Sequence, residues 1–218
     1  MRNRFDNELE LLHGELMEMG LLIENAIVSA VEALTNRDAA QAQQAIAFDS
    51  NVDEKEKDIE RRCLRLLLQQ QPVATDLRKI STALKMITDM ERIGDQAADI
   101  SEITLMLPQN SGLSGLEDIP RMAQITIGMV KDSIDAYVRK DLDLANAVIA
   151  RDDQVDELFA WVRQELIDLI RDKSESGSEA VDMLMVAKYL ERIGDHATNI
   201  AEWVVFSITG VHKDARII

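Results

Sequence analysis

Leu9, Leu12, Leu16, Met19, Ile23, Ala26, Ala30 and Leu34 follow one another at spacings of three and four. That interval stacks side chains along one face of an α-helix. The stripe is sustained for about 30 residues with charges on the other faces, as an amphipathic helix requires. Similar stripes run through Leu77, Ile80, Leu84 and Ile87, and through Ala123, Ile127, Val130, Ile134 and Tyr137. The three prolines, Pro72, Pro108 and Pro120, all fall between such segments, where proline costs a helix nothing. Stripes and breaks together predict six helices, near 4–36, 38–71, 74–107, 120–139, 141–172 and 179–209. PQNSGLSGLEDIP, 108–120, is the best linker, and KSESGSE, 173–179, is the other clear break. A 30-residue helix is about 45 Å long, and long amphipathic helices joined by short turns pack antiparallel in bundles. The expected fold is all-α, with two tandem three-helix bundles at 1–108 and 109–218.

The halves repeat one another. ERIGDQAADISE, 91–102, and ERIGDHATNIAE, 191–202, are identical at eight of twelve positions. AIAFDSNVDE, 45–54, matches AVIARDDQVDE, 147–157, at an offset of 103, and Asn36-Arg37-Asp38 aligns with Arg139-Lys140-Asp141 at that same offset. Duplication of a three-helix unit accounts for all three matches.

The repeated segments are acidic on one face. Glu91, Asp95 and Asp99 stand at i, i+4 and i+8, and the second copy has Glu191, Asp195 and Asn199 there. Asp49 with Asp53, and Asp152 with Asp156, are further i, i+4 pairs on the preceding helices. In an antiparallel hairpin, residues equally far from the turn share a level. Asp49–Asp53 lie about 21 residues before the first turn and Glu91–Asp95 about 21 after it. In the second unit Asp152–Asp156 lie about 22 residues before the turn and Glu191–Asp195 about 17 after it, a difference its longer turn absorbs, so each unit is expected to gather four carboxylates, with Asp99 or Asn199 as a fifth oxygen group. Like charges at i, i+4 cost roughly 0.2–0.5 kcal/mol per pair, and clustering across two helices costs more. A bound cation offsets that repulsion, since carboxylate oxygens suit Mg, Ca, Mn or Fe. Arg92 and Arg192, beside the acids, offer a second means. The plainest alternative is a solvated polar face. Gly94 and Gly194 cost a helix about 1 kcal/mol each against alanine, which points to close approach by a neighbouring helix or a ligand.

The remaining composition narrows the classes. A net charge of −16, from 40 acids against 24 bases, opposes binding to nucleic-acid phosphate or anionic membranes. Aromatics are 4% of the chain, which favours helices over sheets. The single cysteine, Cys63, sits in the apolar run CLRLLL and reads as a core residue. With no apolar leader and no run of about 18 apolar residues, the expectation is a cytoplasmic protein. A di-iron oxidase bundle needs two Glu-x-x-His motifs, and only Glu10–His13 is present. His196 replaces Gln96 in the second copy, as an extra ligand or a surface residue. No phosphate loop, nucleophile elbow or Cys-x-x-Cys pair is found, and no cationic pocket for phosphate stands out.

TDLRKISTALKMITDMERIGDQAADI, 75–100, and its echo MLMVAKYLERIGDHATNIAE, 183–202, resemble the signature of the PhoU family of bacterial phosphate-signalling regulators, and the resemblance covers essentially the whole chain. It implies two three-helix bundles side by side. It also implies iron or zinc bound through paired E(D)-x-x-x-D motifs, here Glu91 with Asp95, Glu191 with Asp195, and the facing Asp49–Asp53 and Asp152–Asp156. Asp99 fits as a further ligand, while Asn199 departs from an all-carboxylate pattern. The implied role is negative regulation of the phosphate-starvation response, by an adaptor linking the ATPase-driven phosphate ABC transporter to a sensor histidine kinase. The expected protein is therefore a non-enzymatic, metal-binding regulator holding iron, zinc or manganese. It is also expected to be a homodimer, the commonest closed assembly. A metal-dependent oxidase or phosphatase and a metal-free interaction scaffold are the alternatives.

Overall fold

The computed structural model describes residues 2–70, 72, 75–108, 118–172, 177–212 and 215–216. Six helices occupy the predicted segments: α1 (Arg2–Asn36), α2 (Ala39–Gln70), α3 (Thr75–Met106), α4 (Asp118–Arg139), α5 (Leu142–Asp172) and α6 (Gly177–Thr209). Two two-residue strands, β1 (Val211–His212) and β2 (Ala215–Arg216), pair antiparallel after α6. They are an addition to the expected all-α fold. Most of the expected linker at 108–120 and of the break at 173–179 lies outside the described residues.

Helix ends follow local chemistry. α1 and α4 end on Arg37 and Lys140, which have φ of 54° and 53°. Asp38 N–H then donates to Ala33 O at 3.0 Å and Asp141 N–H to Ala136 O at 2.9 Å. This closes the left-handed turn that terminates many helices. Each aspartate also caps the next helix: Asp38 Oδ1 accepts from Ala40 and Gln41 N–H at 2.9 and 3.0 Å, and Asp141 Oδ1 accepts from Leu144 N–H at 3.0 Å. The two corners are duplicates, 103 residues apart. Pro120 lies in the first turn of α4 rather than before it, where its missing N–H breaks no bond.

α1, α2 and α3 form one bundle and α4, α5 and α6 the other. They join where α3 packs on α6 and α1 on α4. One apolar core runs through both. Leu12, Leu16, Met19, Ile23 and Ile27 of α1 are fully buried, as their stripe predicts. α3 and α6 are central, with Met86, Met90 and Ile93, and Leu190, Ile193 and Ala197, entirely out of solvent. α2 and α5 are outer helices, each buried along one stripe. Cys63 is part of the core, and burial pushes its thiol up to about 12. That suits packing rather than nucleophilic chemistry. Among the described residues no helix is long and apolar enough to cross a membrane.

Candidate functional site

Close approach of α2 to α3 builds the first acidic site. A methyl group added at Gly94 would lie 3.0 Å from Asp49 Oδ1 and 3.1 Å from Val52 Cγ1. The absence of a side chain at Gly94 therefore lets the α2 carboxylate settle beside α3. In the second unit Gly194 meets Val155 at 3.5 Å and Asp152 Oδ1 at 3.7 Å. The same pairing of levels recurs in a looser form.

Crowding and burial together disfavour ionisation of the acids. Burial, then the carboxylates of Asp95, Asp53 and Asp99, push Asp49 up to about 6. Glu91 is raised by burial and by Asp95, with Arg92 opposing. Asp152 is raised by burial and Asp156, with the Thr198 hydroxyl opposing, and Asp195 by burial, Glu191 and Asp152. Each set of four thus lies within mutual electrostatic reach: Asp49, Asp53, Glu91 and Asp95 in one unit, and Asp152, Asp156, Glu191 and Asp195 in the other. Asp53 is partly exposed and forms an i, i+4 ion pair with Lys57 at 3.5 Å, while Asp156 is exposed.

Neutralisation differs between the copies. Arg92 Nη1 donates to Asp95 Oδ2 at 3.1 Å, and its Nε lies 3.5 Å from Glu91 Oε2. Arg192 does not take the equivalent part. Lys188 Nζ donates to Glu191 Oε1 at 2.5 Å instead, while Arg192 lies near Asp99 and Tyr189. Lys188 stands one helical turn before Glu191, a signal that the repeated ERIGD phrase alone did not contain.

The fifth positions face the other bundle. Asp99 is raised by burial, then Glu102 and Asp95, with a hydrogen bond from the Tyr189 hydroxyl opposing. Asn199 Nδ2 donates to Asp89 Oδ1 at 3.3 Å, and His196 Nδ1 lies 2.9 Å from that oxygen. At the 100-residue offset Asp99 corresponds to Asn199 and Asp89 to Tyr189, so these are two copies of one α3–α6 contact. Asp89 was not anticipated, since only the docking of α3 on α6 gives it a role.

The donor set suits a hard cation. Asp49 Oδ1 and Glu191 Oε2 are buried and find no hydrogen-bond donor among the described residues, and a buried carboxylate oxygen without a partner is costly. Each unit therefore contains one acceptor that a cation would satisfy, inside a group of carboxylates that repel one another. As the side chains stand, no three or more of the described His, Cys, Asp and Glu groups are gathered closely enough to enclose an ion.

Comparison with known proteins bears on the whole chain. The PhoU domain matches it twice, over residues 16–104 and 119–204. The phosphate-specific transport system accessory protein PhoU homolog of Clostridium acetobutylicum is 40% identical over 214 residues, 98% of each chain. The homolog of the same name from Caulobacter vibrioides is 38% identical over 207 residues, 94% of this chain and 90% of its own. The crystal structure of PhoU from Pseudomonas aeruginosa matches with a TM-score of 0.91 at 34% identity, covering 95% of this chain and 100% of that one. The phosphate transport system regulatory protein PhoU from Streptococcus pneumoniae gives a TM-score of 0.91 at 29% identity, covering 97% and 100%. With one domain matching both halves and relatives aligned nearly end to end, the chain belongs to the PhoU family.

Proposed function

We infer that this protein is a non-enzymatic regulator of phosphate uptake that restrains the phosphate-starvation response. It acts in the cytoplasm as a metal-binding, homodimeric adaptor between the ATPase subunit of the phosphate ABC transporter and a sensor histidine kinase. The observation that carries this reading is the near-full-length relation to accessory proteins of phosphate-specific transport. The two acidic sites support the metal part of it. Asp49, Asp53, Glu91 and Asp95 would hold one ion or cluster, and Asp152, Asp156, Glu191 and Asp195 the other, the metal being iron, manganese or zinc. A bound ion supplies concentrated positive charge. The carboxylates of α2 and α3, or of α5 and α6, would hold it, and the ion would offset their mutual repulsion. Asp99 and Asn199 orient the two central helices against each other.

Two measurements test the reading separately. Elemental analysis of protein purified without chelator or metal-affinity resin is compared with the Glu91→Gln, Asp95→Asn, Glu191→Gln, Asp195→Asn variant. Metal in the wild type and little in the variant is expected. Equal, negligible metal in both, even after incubation with Fe, Mn or Zn, removes the metal site and leaves an acidic docking face. Co-purification with the transporter ATPase subunit and the sensor kinase tests the adaptor role, and capture of neither refutes it.

A further inference from the structure

About 18 Å along α3 from Glu91, at 1.5 Å per residue, is a site of opposite character. A cavity of about 160 Å³ is lined by His13 of α1, Thr75 and Lys79 of α3, Tyr137 of α4, Lys140 of the α4–α5 corner and Ser207 of α6. None of the described residues that line it is a carboxylate, although the chain's net charge is −16. Two lysines, a histidine and three hydroxyl-bearing residues thus meet at one cavity.

The walls are fixed. Lys140 is held in the left-handed conformation by the turn that ends α4. Tyr137 meets the His13 ring edge-on at 5.4 Å and donates its hydroxyl to Lys79 O at 3.3 Å. Lys79 Nζ donates to Asp76 Oδ1 at 3.0 Å, outside the cavity lining. Among the described residues no carboxylate pairs with Lys140. Burial, then Lys140 and Lys79, lower the pKa of His13 against a smaller opposing effect of Glu10, so the lysines set up a positive field at its ring.

The other half of the molecule is an internal control. Lys140 corresponds to Arg37 and Lys79 to Glu179. There the two corner residues attract, with Arg37 Nη2 3.7 Å from Glu179 Oε1. Here a lysine stands in place of the acid: Asp76 meets the Lys79 charge from outside the cavity, and no carboxylate in the described lining faces Lys140. An anion in the cavity would give Lys140 the counter-charge that Glu179 gives Arg37 in the duplicate.

We propose that this cavity binds a phosphate-class oxyanion, held between Lys79 and Lys140 with hydrogen bonds from Thr75 and Ser207. The site rests on its own charges and geometry and stands without the adaptor reading.

Titration calorimetry of the full chain, stripped with EDTA so that no bound metal recruits the anion, tests this. Inorganic phosphate is titrated at constant ionic strength set with chloride, with adenosine monophosphate as a competitor. Saturable phosphate binding is expected in the wild type. Lys79→Glu rebuilds the opposite-charge pair of the duplicate, and Lys140→Asn removes the cation with a residue that tolerates the left-handed turn. Each is expected to weaken binding by about tenfold or more, the worth of one charge-assisted contact, while Lys131→Gln on an exposed face changes nothing. Competition by the nucleotide would identify the phosphoryl end of a larger ligand as the source, and its absence the free ion; either supports the site. No saturable binding in the wild type, or folded variants that bind as tightly as wild type, overturns the proposal. That failure leaves metal content and partner capture untouched.

Discussion

Replacing each repeat glycine with alanine separates two effects that the duplication makes comparable. Alanine in a helix interior is about 1 kcal/mol better than glycine. At Gly194 nothing opposes that gain, because the new methyl would meet Val155 at 3.5 Å and Asp152 Oδ1 at 3.7 Å, ordinary contact distances. At Gly94 it would lie 3.0 Å from Asp49 Oδ1 and 3.1 Å from Val52 Cγ1. The carboxylate has some freedom to swing, but Val52 is fully buried and moves only with α2. Overpacking of this kind costs about 1–3 kcal/mol. The net expectation is a loss of about 1 kcal/mol for Gly94→Ala against a gain of up to about 1 for Gly194→Ala. In a chain of this size that is a fall and a rise in Tm of about 2–4 °C each. Thermal and urea denaturation of the metal-free single variants measures both. A Gly94→Ala protein as stable as Gly194→Ala would refute the close α2–α3 approach on which the first acidic site is built.

The acids predict a pH dependence. A carboxyl raised in the folded state binds its proton more tightly there than in the unfolded chain, so its contribution is full below the ordinary value of 3.8 and lost as pH rises through about 6 for Asp49. In metal-free protein Asp49→Asn is therefore expected to gain stability relative to wild type between pH 4 and pH 7, and urea midpoints showing a constant gap would contradict this. Arg62 clamps α2 to α1, donating from Nε and Nη2 to Glu15 at 2.6 and 2.7 Å and from Nη1 to Glu8 at 2.8 Å. Arg62→Lys keeps the charge but loses the fork, and is expected to cost about 1–2 kcal/mol in urea denaturation. Asp89→Ala removes the acceptor shared by His196 and Asn199 and is expected to cost about 1–3 kcal/mol. The loss should shrink in the double variant that also carries Asn199→Ala, as a double-mutant cycle would measure.

The helices were legible because their stripes are long and their ends carry explicit chemistry. Pro72 and Pro108 interrupt, and the burial of Leu12, Leu16, Met19 and Ile23 follows from spacing alone, whereas the capping by Asp38 and Asp141 emerged only with the structure. Hairpin register was legible too, since equal distance from a turn is arithmetic, and it brings Asp49 to Gly94. What depended on docking one bundle on the other was not. Asp89 and Tyr189 acquire partners only where α3 meets α6, and no period in the chain encodes that crossing. The strands at 211–212 and 215–216 are too short to show alternation. The basic cavity escaped for the same reason: Lys79 and Lys140 are far apart in sequence, and a corner between units, rather than a motif, brings them together.

The two copies have drifted unevenly, and the unevenness separates scaffold from chemistry. The left-handed corners, the capping aspartates and the glycine at the α2–α3 or α5–α6 crossing recur in both halves, the second crossing being the looser. Neutralising cations do not: Arg92 serves one acidic site and Lys188 the other. A face that needed only solvation would place no demand on the matching levels of its acids, since every exposed position solvates equally well. Here the acids keep their levels, Asp49 against Gly94 and Asp152 against Gly194, while the groups that offset their charge change. That pattern is what a requirement for the carboxylates themselves would leave. It is also why charge-neutral replacement of the quartets, rather than removal of Arg92 or Lys188, is the informative perturbation. Loss of a cation should leave the sites short of one counter-charge and still able to take up an ion, whereas loss of the carboxylates should abolish uptake altogether.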